Sequence, residues 1–170
     1  MDKELLFVRK AVDLFQGKGL DAIDLGRGYG RNTLFLEKNG FKVTAVDKNM
    51  DCLINIKSYS DQITTIHTDL INFKFDKKYD LILCTFVLHF LKKDMVKKLI
   101  KDMAEHLKDG GILAIALIET SRGLNIRELQ DGLSDLSTIS LVEKTIHDEP
   151  HTGVEHPHNH EVIFYIGTKQ

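Results

Sequence analysis

One stretch constrains this chain more than any other. Ala22-Ile23-Asp24-Leu25 runs into Gly26-Arg27-Gly28-Tyr29-Gly30, and Arg31 to Asn39 follows without a proline. A short apolar run that ends in glycines and continues into helix-compatible sequence reads as strand, tight turn, helix. Glycine permits positive φ and close approach of a ligand to the backbone. The helix that follows presents N–H groups with no intrahelical partner. Gly40 then supplies a C-terminal stop.

The same alternation continues along the chain. Leu5, Val8, Val12 and Phe15 recur at helical spacing before Gly17 and Gly19, so an amphipathic helix is predicted to open the chain. Strands are predicted at 42–47, 63–68 and 79–85, the last with the continuous apolar centre of a strand covered on both faces. A helix is predicted at 51–59. Another is read from Met95, Leu99, Met103 and Leu107 on one face, ended by Asp109-Gly110-Gly111. A fifth strand over 112–118, a short helix over 125–133 and two late strands over 139–146 and 161–168 complete the reading. Strands alternating with helices specify a doubly wound α/β fold of Rossmann-like type. The expected sheet has seven mainly parallel strands, an antiparallel last strand and helices on both faces. The length of 170 residues suits a single domain. Its parts are an N-terminal helix (1–19), a ligand-binding core (20–120) and a segment carrying a helix and the last two strands (121–170).

Charge narrows the choice of partner. The 23 basic and 25 acidic side chains leave a net charge of -2, which gives no electrostatic reason to expect a nucleic acid. A small-molecule substrate is the simpler expectation, and a homodimer is compatible with it. No apolar run is long enough to span a bilayer. Two cysteines without a metal or disulfide spacing, and no signal-peptide pattern, point to the cytoplasm.

In open α/β sheets ligands bind beyond the C-terminal ends of the strands. The glycine turn, Asp47, Asp69 and the Cys84-Thr85 segment all fall at such ends. A dinucleotide fingerprint needs G-x-G-x-x-G, but Arg31 occupies the last of those positions. The spacing is instead G-x-G-x-G, with Asp24 two residues upstream. An acid there suits a ligand bearing an ammonium group and repels a pyrophosphate. Asp47 stands 21 residues after Gly26, where a carboxylate can accept hydrogen bonds from ribose hydroxyls or cap the next helix. Asp69 can meet an adenine amino group or serve as a turn residue.

These residues resemble a family. The D-x-G-x-G-x-G turn, the acid after the second strand, Thr68-Asp69-Leu70, Tyr79-Asp80 and Asp109-Gly110-Gly111 look like class I S-adenosylmethionine (SAM)-dependent methyltransferases. Gly30-Arg31-Asn32-Thr33-Leu34-Phe35-Leu36, Asn39-Gly40-Phe41, Asp47-Lys48-Asn49 and Val87-Leu88-His89-Phe90-Leu91 are similar to the TehB-type tellurite-resistance methyltransferases. The resemblance implies SAM as cofactor and a small acceptor, with tellurite or selenite as examples. By its implication Asp24, Gly26, Arg27, Gly28 and Gly30 frame the methionine part and Asp47 holds the ribose. Lys48, Met50, Asp69 and Leu70 border the adenine, and Cys84, Thr85 and Phe86 face the amino acid end. Arg27 and Tyr29 depart from the small residues usual between these glycines.

Five of the eight histidines lie between His147 and His160, in what is expected to be a loop between the last two strands. His156, His158 and His160 alternate, so on an extended chain they share a face. Imidazoles so placed can bind a metal, hold an oxyanion or act as a base. His89 and His151 are the candidate bases, and Arg31, Arg122, His156 and His158 the candidate acceptor contacts. His156, His158 and His160 are the metal candidates. Three rival readings are a SAM-binding module without catalysis, a metal-handling protein and a nicotinamide dehydrogenase, the last opposed by Arg31.

Overall fold

The computed structural model describes residues 3–26, 28–120, 123–148 and 156–170. The chain forms α1 (Lys3–Leu14), β1 (Asp21–Leu25), α2 (Arg31–Lys38), β2 (Lys42–Asp47), α3 (Met50–Tyr59), β3 (Thr64–His67) and β4 (Tyr79–Thr85). A 3-10 turn (Leu88–Phe90) precedes α4 (Lys93–Glu105), β5 (Leu107–Ile118), α5 (Ile126–Gly132), β6 (Ser137–Asp148) and β7 (His158–Thr168).

The strands make one sheet in the order β3-β2-β1-β4-β5-β7-β6. β1, β2, β3, β4 and β5 pair in parallel, and β7 runs antiparallel between β5 and β6. Every residue of β4 is buried, because a central parallel strand is covered on both faces. Its side chains sort by the strand period of two. Leu81 and Leu83 join the core beneath α1, α2 and α3, with Phe7, Val8, Leu36 and Ile56. Ile82 and Cys84 join the opposite core, with Val96, Leu99, Met103 and Leu129 from α4 and α5. Each fully buried leucine or isoleucine of these layers contributes about 1.5–3 kcal/mol relative to exposure.

The order of strands places the switch point between β1 and β4. After β1 the chain turns to β2 on one side; after β3 it crosses to β4 on the other. The C-terminal ends of β1 and β4 therefore diverge and open a crevice between them.

Three expectations need correction. The buried face of α4 is Val96, Leu99, Ile100 and Met103; Met95 is exposed and Leu107 already belongs to β5. Asp109-Gly110-Gly111 does not separate helix from strand. It lies inside β5, where Gly110 takes φ +73° and the register against β4 shifts. The late histidines are not all in a loop: His158 and His160 are residues of β7, paired with Asp148 and Ile146 of β6. Strand pairing satisfies backbone groups that a loop leaves to solvent, and it extends the hairpin well past the apolar run.

At the other end of the sheet, Lys108 bridges Asp21 at 3.1 Å and Asp80 at 2.8 Å, and Lys77 reaches Asp21 at 2.8 Å. These ammonium groups hold the Asp21 carboxyl below the usual carboxylate range, chiefly through the Lys77 hydrogen bond.

Candidate active site

The glycine turn is clamped from two sides. The Gly26 N–H donates to Val46 O at 2.8 Å, tying the turn to the end of β2. Gly26 has φ +70°, and a Cβ there would lie 2.6 Å from Cγ2 of Val87. Conformation and space thus both exclude a larger residue. Asp47 makes the second clamp: its Oδ2 accepts from the Gly28 N–H at 2.9 Å and its Oδ1 from the Asn49 N–H at 2.8 Å. Asn49, not Asp47, caps α3, accepting from the N–H groups of Asp51 and Cys52. The helix-cap alternative for Asp47 is thereby removed.

Between the turn and the end of β4 lies a cleft of about 710 Å³, lined by Gly26, Gly28, Asp47, Lys48, Asp69 and Leu70 on one side. Phe86, Val87, Phe90 and Leu91 form the facing apolar wall. This volume falls in the range of small-molecule and cofactor sites, roughly 300–1,000 Å³. Apolar walls with a few placed carboxylates suit a flat heterocycle carrying a hydroxylated sugar. Asp69 stands two residues past β3, where its Oδ1 accepts from the Ile71 N–H at 3.2 Å.

Other candidates lie elsewhere. Asp24 is 1% exposed and lies beneath the turn, where it accepts a 2.6 Å hydrogen bond from the Thr33 hydroxyl of α2. Cys84 is fully buried in the α4 core, and burial pushes its thiol far above the usual range. Met50 lies on a shallow surface cavity with Leu53 and His67, away from the cleft. Arg31, Gly30 and Thr85 line a cavity of about 320 Å³ that joins the glycine turn from the other side. Tyr29 is 94% exposed and leaves that cavity open. Arg27, Arg122 and His151 lie outside the described residues.

Phe86 stands where these spaces meet. It has φ +52°, the left-handed region that bulky side chains avoid. Its N–H donates to Ala116 O at 2.7 Å, and its ring meets Phe164 edge-on at 6.2 Å. Beneath it, Asn32 donates to the Thr85 hydroxyl at 3.0 Å in a buried contact. Such strain clusters at functional sites, held by the surrounding structure.

A further chamber of about 420 Å³ opens behind Phe86, lined by His89, Ile118, Ile146, His160 and Val162. His158 and His160 touch through their Nε2 atoms at 2.8 Å, with rings nearly perpendicular. His158 Nδ1 donates to His156 O at 3.2 Å. His89 holds its Nδ1 buried with no hydrogen-bond partner among the described residues. Burial, then the nearby His160, lower its pKa. His147 pairs across the hairpin with Asn159 Oδ1 at 2.9 Å, and His106 stacks on Phe75. Among the described residues no group of three or more His, Cys, Asp or Glu side chains is arranged to hold a metal ion.

Sequence reasoning missed Asn32, Val87 and the chamber wall of Ile118, Ile146 and Val162. Asn32 was visible as an amide one residue inside α2. The wall residues carry no signal beyond ordinary strand hydrophobicity.

The sheet order and the cleft at its switch point define a Rossmann-like methyltransferase fold. Residues 7–123 match the family described as Tellurite resistance protein TehB, and the chain belongs to that family. A Haemophilus influenzae protein named "Probable S-adenosyl-L-methionine-dependent methyltransferase TehB" is 34% identical over 103 residues, 58% of this chain and 36% of its own. The crystal structure of TehB from Haemophilus influenzae superposes with a TM-score of 0.84 at 23% identity, over 96% of this chain and 61% of that one. The N-methyltransferase NodS from Bradyrhizobium japonicum, solved with S-adenosyl-L-homocysteine, matches at TM-score 0.70 and 16% identity, over 98% and 87%. The chain thus spans about a third of the length of the curated relatives it first matches. Among the described residues no helix is long and apolar enough to cross a membrane.

Proposed function

We propose that this chain is a SAM-dependent methyltransferase acting on a small molecule. The observation that carries the reading is the glycine turn locked to Asp47, with Asp69 lining the same 710 Å³ cleft at the sheet's switch point. The printed names of the Haemophilus relative and of NodS support the same cofactor.

Each residue has a definite part. Asp47, its geometry already fixed by two backbone donors, turns its remaining lone pairs to the ribose hydroxyls. Asp69 and Leu70 border the adenine, and Gly26 and Gly28 let the backbone approach the methionine part. Asp24 acts through Thr33, holding the turn against α2, and Thr85 and Phe86 bound the amino acid end. When bound, SAM supplies an electrophilic methyl group on a sulfonium; the protein's task is alignment and exclusion of water. The acceptor enters the chamber behind Phe86, with His89 and the His158–His160 pair as its proton acceptors. The family's description makes tellurite and selenite natural acceptors to assay. A cytoplasmic protein acting alone or as a homodimer, without nucleic acid, accords with the near-neutral charge.

Calorimetry with SAM and S-adenosyl-L-homocysteine tests the reading. Asp47→Ala should weaken both by about 100-fold, since two charge-assisted backbone anchors and the sugar contact go together. Unchanged affinity rejects the role of Asp47, and no binding by the wild type rejects the function. A SAM-binding module without catalysis would bind normally yet release no labelled methyl group to any acceptor.

A further inference from the structure

α1 covers one face of the β6–β7 hairpin incompletely. On that face Val142, Lys144 and Ile146 follow at every second position of β6, opposite Phe164, Val162 and His160 of β7. α1 sets Leu6, Phe7 and Lys10 against them and leaves a groove of about 220 Å³. Leu6 is 40% and Val142 37% exposed, so the groove holds apolar surface that the described chain does not bury.

The groove adjoins the chamber behind Phe86. Ile146 lines both spaces, and Lys144, in the groove, pairs with Val162 of the chamber wall. Along the strand about 7 Å separate Lys144 from Ile146, and about 20 Å separate Ser140 from Ile146. Groove and chamber therefore lie end to end on one strand face, with His89 and Phe86 at the far end.

Positive charge gathers at the groove. Lys10 and Lys144 both line it. Lys10 Nζ donates to the Ser140 hydroxyl at 2.9 Å, and neither ammonium group meets a carboxylate among the described residues. The described acids of the hairpin belong to the other face: Glu161 accepts from the Thr145 hydroxyl at 2.8 Å, and Glu143 stands opposite Ile163 of the α4 core. Coulomb attraction strengthens where apolar groups replace water. A ligand with an apolar tail displaces that water itself and brings its charge to the lysines in drier surroundings. A second copy of the chain fits less well, since a two-fold contact sets the same patch, and these cations, against their own copies.

We propose that groove and chamber form one elongated site for an amphipathic carboxylate. Its anionic group lies at Lys10 and Lys144, its apolar body along Val142, Phe164 and Ile146, and its far end beside His89 and Phe86. As an assignment of the methyl acceptor this rests on the methyltransferase reading; as a binding site it stands without it.

The test titrates the full chain with octanoate, butanoate and 1-octanol, below their aggregation limits, with and without saturating S-adenosyl-L-homocysteine. Calorimetry reads affinity, and the histidine ring protons in NMR read arrival in the chamber. Octanoate should bind at least about tenfold more tightly than butanoate, because four more methylenes leave water. It should bind about tenfold more tightly than 1-octanol, through two ion pairs at the surface. It should shift the ring signals of His89 and His160, and butanoate should leave them in place. Both lysines are exposed, and Lys10→Met and Lys144→Met keep their apolar stems. Each should weaken octanoate about threefold and leave 1-octanol unchanged. Equal affinity for octanoate and 1-octanol, ring signals unmoved by octanoate, or displacement of octanoate by S-adenosyl-L-homocysteine overturns the proposal. So does a lack of octanoate binding while the chain sediments with phosphatidylglycerol vesicles or as a dimer. Octanoate bound without any affinity for S-adenosyl-L-homocysteine would sink the cofactor reading and leave the site standing. S-adenosyl-L-homocysteine bound without octanoate would sink the site alone.

Discussion

The two halves of the site are built on different principles. The half proposed for the cofactor is made by backbone: a glycine turn, a strand end and the N–H groups that Asp47 ties together within residues 24–49. The half proposed for the acceptor is made by side chains from four distant places: the turn after β4, the end of β5, the end of β6 and the start of β7. The first leaves no room for a side chain at Gly26 but can accept many surfaces around it. The second can change its occupant by exchanging one side chain on an otherwise unaltered strand. A common architecture can therefore keep one cofactor while its acceptors diverge.

This contrast can be broken at the glycines first. Gly26→Ala should cost about 2–4 kcal/mol, combining the left-handed backbone with the clash against Val87. Chemical denaturation measures it, and a change below 1 kcal/mol, on the order of ordinary surface substitutions, would mean the turn is not rigid. Next, Asp47→Asn keeps the shape but loses the charge; calorimetry should record SAM binding about tenfold weaker. Gly28→Ala sharpens the comparison, because φ is +53° yet nothing lies within 4 Å of the added carbon. It should cost only about 1 kcal/mol of stability, the backbone share alone. A loss as large as that at Gly26 would refute the assignment of the difference to Val87.

The smallest effect belongs to the acceptor half. Folded His89 binds its proton at lower pH than the unfolded chain does, because burial and His160 disfavour its charge. Its contribution is then fully present above about pH 6.5, the ordinary histidine value, and stability falls as the pH drops below it, until the folded ring itself protonates. His89→Phe should flatten that part of the stability profile. A slope unchanged between wild type and variant would show that His89 is not the group titrating.

Much of the cofactor half was legible before any coordinates. β2 and β4 begin and end where their apolar runs do, and Gly40 stops α2 as its position suggested. Asp24 shows what such reading leaves out: the acid in the motif is buried and accepts a hydrogen bond from Thr33 of α2. Cys84 sits beside Thr85 in sequence but points to the opposite core, because adjacent strand residues face opposite ways. Asp109-Gly110-Gly111 misled for a related reason. Glycine punctuation marks an irregularity, and only the pairing with β4 and the C-terminal residues makes it part of a strand.

By itself, then, the order of residues determined the alternation of strands and helices and the glycine bend after β1. These follow from local periodicity and from conformations that only glycine adopts freely. The tertiary structure decided which polar groups face a cavity and which are consumed in the interior. It also brought His89 and His160 to one cavity and bent Phe86 into a conformation its side chain resists. Those outcomes depend on contacts between segments tens of residues apart, and no local pattern encodes them.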